Sequence, residues 1–448
     1  MKRKYAVFIV ALLSTILFTK ETAFAVEPTG ATSTANSDTT ESRLESATSE
    51  STTSESTTSE STTSESTTMT ETTTTETNLP PSNAALLDDA PDGSQSNPFL
   101  VSNETELVTA LAAAPPDNGD LHIQLTADIS GANWANKFRF IRNTIIEGNG
   151  HYFLYTGTDY TTRQFYAVNQ PNLTVTYRNV NFGNPANPNS TYTGIMNVAS
   201  STNFTLNIEN VNYYVINGSV PFSTNSATGA SVNFSGTNTF EIPSASTAQG
   251  PFVQSFQNIT FKEGSHTTID DQNGTSNPFF TGYDDNNSMN LSVENSATLD
   301  IQTSNRIMFN SRVKPVVTIG ENSKFVYDRA TGSTANLMIN NGRGLGAVFN
   351  FSPNSIGVIQ SKNKIQPGTG TNDTVINANQ PNYVLIQGTP SSATGSFLDG
   401  SNEKITINRT DSLGNLSYDL FGFGRDNNVK ILNDFQPNSS YVLSGSSL

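Results

Sequence analysis

Cysteine is absent from the 448 residues, so no disulfide can staple the fold, and a secreted chain of this kind must rest on a large core or on repeated backbone pairing. Basic side chains are scarce, 23 Lys/Arg against 39 Asp/Glu, for a net charge of −16. That balance excludes the basic footprint of a nucleic-acid binder. An acidic surface also repels polyanions such as pectate unless a bound cation bridges the two. Beyond the amino terminus no apolar run is long enough to span a membrane. Tryptophan occurs once, at Trp134, and histidine three times.

The first 25 residues hold a basic start (Lys2, Arg3, Lys4), an apolar run from Tyr5 to Phe18 and the triplet Ala23-Phe24-Ala25. This is the pattern of a secretory signal peptide, residues 1–25, with cleavage expected before Val26. Residues 26–95 read as a disordered Ser/Thr/Glu-rich linker. Within it, 49–68 are four identical SESTT units, and residues 26–81 carry ten Asp/Glu against Arg43. Such a segment has almost nothing apolar to bury and repels itself, so it cannot offset its ordering entropy. As a free coil it would reach roughly 40 Å and hold the rest of the chain away from a surface.

After Pro80-Pro81 the composition changes. VSNETELVTALAAA, residues 101–114, reads as a helix capped by Asn103, with Glu106 placed for the reciprocal bond, Leu107 and Leu111 on the buried stripe, and Pro115-Pro116 as the stop. The strand LHIQLTADI comes next, at 121–129. Together they read as a lid over the open end of a sheet stack.

From Thr144 onward the chain repeats an apolar-x-apolar start, a polar or Gly/Asn corner, and a second apolar stretch. The copies begin at Thr144, Val175, Leu206, Val232, Ile259, Leu291, Val317 and Phe349, in steps of 31, 31, 26, 27, 32, 26 and 32 residues. A period near 30 with strand alternation inside each unit predicts stacked coils, hence an all-β, right-handed parallel β-helix with a short capping helix. The domain would occupy residues 96–448, with 120–448 allowing roughly a dozen coils. Asn and Gly at the corners suit backbone conformations with positive φ.

The segment RNTIIEGNGHYFLYTG, 142–157, carries His151 behind a Gly148-Asn149-Gly150 turn, and such corners also occur in enzymes that cut acidic polysaccharides. Laid on VNFSGTNTFEI, its Ile146 falls on Phe234, Gly148 on Gly236, Tyr152 on Phe240 and Leu154 on Ile242. The second copy has no histidine. The alignment therefore makes His151 an outward corner residue and Ile146, Tyr152 and Leu154 core residues.

On the helix VSNETELVTALAAA, the strand LHIQLTADIS and the coils IIEGNGHYFL and VNFSGTNTFEI, residues 96–448 resemble the pectate-lyase-like adhesive domain of Gram-positive bacterial surface proteins. The resemblance implies a non-catalytic β-helix that attaches to a host extracellular-matrix protein or glycan. It also implies a secreted, extracellular or cell-wall-associated location. Members of the family often end in a WxL domain or a sortase motif, and NSSYVLSGSSL carries neither.

The competing class is a polysaccharide lyase or glycoside hydrolase acting on acidic polysaccharide. A lyase of this fold needs an acidic cluster for calcium and a basic residue to take the proton alpha to a carboxylate. Asp270-Asp271 and Asp284-Asp285 are the candidate acids, and Arg306 and Arg312 the candidate bases. Adjacent strand residues face opposite ways, so neither pair chelates as a unit. His266 precedes Asp270 without the Asn-Thr-Asp or Gly-His-Gly sequences of a polygalacturonase. Trp134 has the best claim to exposure for stacking on a sugar, whereas the aromatics of HYFLY, VNYYV and DLFGFG read mainly as core. No catalytic residue, cofactor or metal is therefore assigned, and the expectation is an adhesin rather than an enzyme.

Overall fold

In a computed structural model of the chain, residues 90–432 are described apart from 158–162, 191–193, 218–219, 226, 244–249, 273–276, 283–288, 330–334, 343–344, 369–373, 389–403, 412–413 and 422–427. The segments expected to be a signal peptide, 1–25, and a linker, as far as residue 89, lie outside the described residues.

The chain winds into a parallel β-helix with three faces. One turn runs through Thr205–Glu209, Asn212–Asn217 and Phe222–Asn225, and the next through Ser231–Ser235, Thr237–Ile242 and Val253–Gln254. The equivalent strands of successive turns build a first sheet of 13 strands, a second of 12 and a third of nine. Among the described residues the nine strands of the third sheet mark nine turns that visit all three faces, against the roughly dozen coils expected. The copies read from the sequence stack with the same offsets: Thr144 pairs with Val175, and Val175 with Leu206. Leu206 then pairs with Val232, Val232 with Ile259, Ile259 with Leu291, Leu291 with Val317 and Val317 with Phe349.

Side-chain alternation explains this register. In Thr205–Glu209, Leu206 and Ile208 point inward and are buried, while Asn207 between them faces out. A slip of one residue would turn every inward side chain to solvent. The buried residues form one continuous core from Val101 to Ile407. Phenylalanines paired in register stack face to face along it, Phe138 on Phe165 at 4.8 Å, Phe234 on Phe261 at 4.7 Å and Phe280 on Phe309 at 5.4 Å. Each such side chain contributes about 2 kcal/mol on burial, which lets the stack do without disulfides.

The corner between the first and second sheets repeats as regularly as the strands. One residue there has positive φ in turn after turn: Asn179 (52°), Asn210 (54°), Gly236 (64°), Gly264 (68°), Ser296 (58°) and Asn322 (56°). Where asparagines succeed one another, Asn210 Nδ2 donates to Asn179 Oδ1 at 3.1 Å, and Asn179 Nδ2 donates to Glu147 Oε1 at 2.9 Å. Asparagine is favoured because it tolerates this backbone and its amide bonds along the axis. Asn179→Ala is expected to cost about 2 kcal/mol and Asn179→Gly about 1 kcal/mol, since only alanine adds backbone strain to the lost bonds. Urea midpoints of the two variants check the order, and an Asn179→Gly loss equal to that of alanine would rule out the backbone term.

The amino-terminal end is closed by the helix Glu104–Ala112, shorter than the sequence pattern implies because Val101 already belongs to the strand Phe99–Val101. Asn103 caps it, its Oδ1 accepting from Glu106 N at 3.0 Å. Glu106 reaches back one residue further than a capping box requires, and its Oε2 accepts from Ser102 N at 2.7 Å and Ser102 Oγ at 2.9 Å. Those bonds hold its carboxyl below the usual range. Leu107, Ala110 and Leu111 face the core.

Parallel winding does not persist to the last strands. Lys404–Asp411 pairs antiparallel with Gly414–Phe421, and Tyr383–Gln387 antiparallel with Asn428–Leu432. A chain that turns back in this way covers the edge that the last coil would otherwise expose.

Candidate functional site

His151 sits on an outward corner. Gly148 N donates to Arg178 O at 2.7 Å, Gly150 N to Asn179 O at 2.8 Å and His151 N back to Gly148 O at 2.8 Å, which closes the turn against the next coil. The half-buried imidazole places Nδ1 3.3 Å from Asp128 Oδ1, and the same oxygen accepts from Tyr152 N at 3.0 Å. A lone His–Asp contact of this kind pins a loop. Ile146 is buried as expected, but the strand after the corner corrects the alignment by one residue. Phe153 and Tyr155 are buried, whereas Tyr152 and Leu154 are only partly covered. Four residues separate Glu147 from Tyr152, against three between their partners Ser235 and Thr239, so a gapless alignment slips at the corner.

The acidic pair Asp270-Asp271 splits across the second sheet. Asp270 is exposed and accepts from Gln272 Nε2 at 2.7 Å, while Asp271 is buried and accepts from Asn305 Nδ2 at 3.3 Å. Asp271, Thr303 and Arg329 occupy one inward column with Tyr327 beside it. Burial pushes the Tyr327 hydroxyl well up and Arg329 down, with Arg306 adding to the effect on Arg329. Asp284-Asp285 lies outside the described residues. His266 is exposed, with Nε2 3.5 Å from Thr268 Oγ1. Arg306 and Arg312 are both exposed but stand at opposite ends of the strand Ile307–Ser311. Among the described residues no three of His, Cys, Asp and Glu gather where they could hold a metal.

Trp134 corrects a second expectation. It is fully buried, its ring 5.1 Å from Phe138 and 5.6 Å from Tyr155, and its Nε1 donates to Glu104 Oε2 at 2.7 Å. Glu104 is also ion-paired with Lys137. The indole thus ties the capping helix to the first coils and offers no face to a sugar. Of the aromatics in HYFLY and VNYYV, Phe153, Tyr155 and Tyr213 are core residues while Tyr152 and Tyr214 are only partly covered, and the side chains of DLFGFG lie outside the described part.

The first sheet carries a feature that the repeat pattern left as an unspecified x. Its outward positions read TVT at 174–176, TLN at 205–207, SVN at 231–233, NIT at 258–260 and NLS at 290–292, with the middle residue inward each time. Asn233 Nδ2 donates to Asn207 Oδ1 at 2.9 Å, and Asn207 Nδ2 donates to Thr176 Oγ1 at 3.1 Å. Asn290 Nδ2 likewise donates to Asn258 Oδ1 at 3.1 Å, and further on Asn377 Nδ2 donates to Asn350 Oδ1 at 2.8 Å. The result is an uncharged face of hydroxyls and amides spaced about 4.8 Å along the axis. A side-chain amide has two N–H donors and two acceptor lone pairs, so a bond along the ladder uses only part of what it can offer a ligand. A charged column borders this face, with Arg178 Nε donating to Glu209 Oε2 at 2.7 Å and Lys262 Nζ to Glu294 Oε1 at 3.1 Å. The signal for this face was present in the sequence as Thr, Ser and Asn recurring at the x and flanking positions of successive repeats.

No family model, curated protein or solved structure matches the chain, so its function is argued from the geometry of these faces.

Proposed function

We propose that this chain is a secreted cell-surface adhesin whose β-helix holds a host matrix protein or glycan without turning it over. The observation that carries this reading is the neutral Thr/Ser/Asn face of the first sheet. Its donors and acceptors are fixed by the ladder before any ligand arrives, so little side-chain freedom is lost on binding. Such contacts are individually weak. Many copies held out from a surface on the Ser/Thr/Glu-rich linker would supply avidity. The resemblance to the pectate-lyase-like adhesive family points the same way, and a secreted or cell-wall-associated location accords with the signal-peptide pattern.

The test is a binding screen of the full chain on immobilised matrix proteins and glycans, run beside an assay for unsaturated uronate absorbance on acidic polysaccharide with calcium. The expected result is saturable binding without product. Asn233→Arg, on the ladder, should weaken binding about tenfold, and His151→Ala should leave it unchanged. Product formation, or binding indifferent to Asn233→Arg, would sink the reading.

A further inference from the structure

The scarce basic residues are not spread evenly. Residues 306–364 contain eight Lys/Arg and two Asp/Glu, in a chain that is acidic as a whole. Three cations outside this stretch are neutralised by carboxylates, Lys137 by Glu104, Arg178 by Glu209 and Lys262 by Glu294, and within it Lys324 is paired with Asp300. Arg306, Lys362 and Lys364 have no ion-pair or hydrogen-bond partner for their side chains among the described residues.

Stacking brings these cations to one place, the corner between the second and third sheets. Met338 N donates to Arg306 O at 2.7 Å and Leu337 N to Lys364 O at 2.9 Å, while Lys362 N donates to Arg329 O at 3.1 Å. Three successive turns therefore present Arg306, the segment Ala335–Met338 and Lys362–Gln366 side by side. Between them opens a cleft of about 340 Å³ with Arg306, Asn336, Asn341 and Gln366 as its polar lining and Met338 as part of its apolar floor. Arg329 is buried behind the wall, its Nη1 donating to the lining residue Ala335 through its carbonyl at 2.7 Å. The exposed Arg306 lies close enough to the buried Arg329 to interact with it electrostatically, and two like charges so placed favour an anion beside them.

The cleft is of the size that takes a sugar unit, and it combines an apolar patch with convergent amide and guanidinium donors. Guanidinium matches the planar oxygens of a carboxylate or the oxygens of a sulfate. We propose that this cleft is a binding subsite for an anionic glycan, held at a carboxylate or sulfate group by Arg306, with Lys362 and Lys364 extending the attraction along the strand. It lies on a different face from the neutral ladder and is independent of it. The acidic remainder of the surface would keep long polyanions from lying elsewhere, so binding is confined to this corner.

The test uses the full chain on immobilised polygalacturonate, heparin, neutral dextran and single-stranded DNA, titrated from low to physiological salt. Expected are saturable binding to polygalacturonate or heparin that weakens as salt rises, and none to dextran at this site. Which of the two binds identifies carboxylate or sulfate as the recognised group. Arg306→Glu should weaken that binding at least tenfold. Arg306→Gln, which removes only the charge, serves as the second variant should the reversal disturb folding. Arg139→Glu makes the same charge change on an exposed residue of the third sheet near the opposite end, and should leave binding unchanged. The proposal is overturned if neither acidic glycan binds, if Arg139→Glu weakens binding as much as Arg306→Glu, or if DNA competes equally.

Discussion

Trp134→Ala is expected to destabilise the chain by about 4 kcal/mol, in the range for emptying a large aromatic site. The indole is fully buried where the capping helix meets the first coils, and it makes ring contacts with Phe138, Tyr155, Phe165 and Phe153 at 5.1, 5.6, 6.1 and 6.4 Å. No neighbouring element can collapse into the space, because the surrounding rings are fixed by the strand register of Phe138 with Phe165. The substitution also removes one donor from Glu104, leaving Lys137 as its partner. Trp134→Phe keeps most of the ring volume and should cost only about 1 to 2 kcal/mol, chiefly the lost hydrogen bond. Solenoid stability is a sum over neighbouring turns, so the loss should be local. Hydrogen exchange should show protection falling first over residues 99–155 in the alanine variant, with the strands from 290 to 387 little changed. Equal costs for alanine and phenylalanine would contradict the packing argument.

The stacking of the coils was legible in the sequence because the physics that sets it is local. An inward Leu206 or Val232 can be recognised by its apolar neighbours two residues on, and the interval to the next such pair is the register itself. The splitting of Asp270 from Asp271 was legible for the same reason. Corners were less legible, since the number of residues in a turn can change without changing what it joins, and the Tyr152 assignment failed there by one position. Several strands of the third sheet were missed because they do not alternate: Met196, Asn197 and Val198 are all buried, as are Phe222, Ser223 and Thr224. Trp134 was misread because its partner Glu104 lies thirty residues earlier and meets it only through the cap. The Arg306 cleft needed three turns to be stacked before its donors converged, although the excess of cations over 306–364 marks it in the sequence.

Gly148→Val should cost about 3 kcal/mol, at the upper end of what overpacking typically costs, because the obstacle is backbone. A Cβ on Gly148 would meet the Asn179 carbonyl oxygen and would lie 2.6 Å from Val180 Cγ2 and 2.7 Å from Val180 Cα. These atoms belong to the next coil, and they cannot retreat without lengthening the bonds from Gly148 N to Arg178 O and from Gly150 N to Asn179 O. The same shift would loosen the pairing of Glu147 with Arg178, so the strain passes into the first sheet. Gly150, two residues on, provides the control. Its φ of +82° disfavours a side chain, but nothing lies within 4 Å of the position a Cβ would take, so Gly150→Ala should cost only about 1 kcal/mol. Thermal and urea midpoints of Gly148→Ala, Gly148→Val and Gly150→Ala separate the two causes. If close approach governs this corner, both Gly148 variants fall below Gly150→Ala, and the reverse order would make backbone conformation the controlling demand.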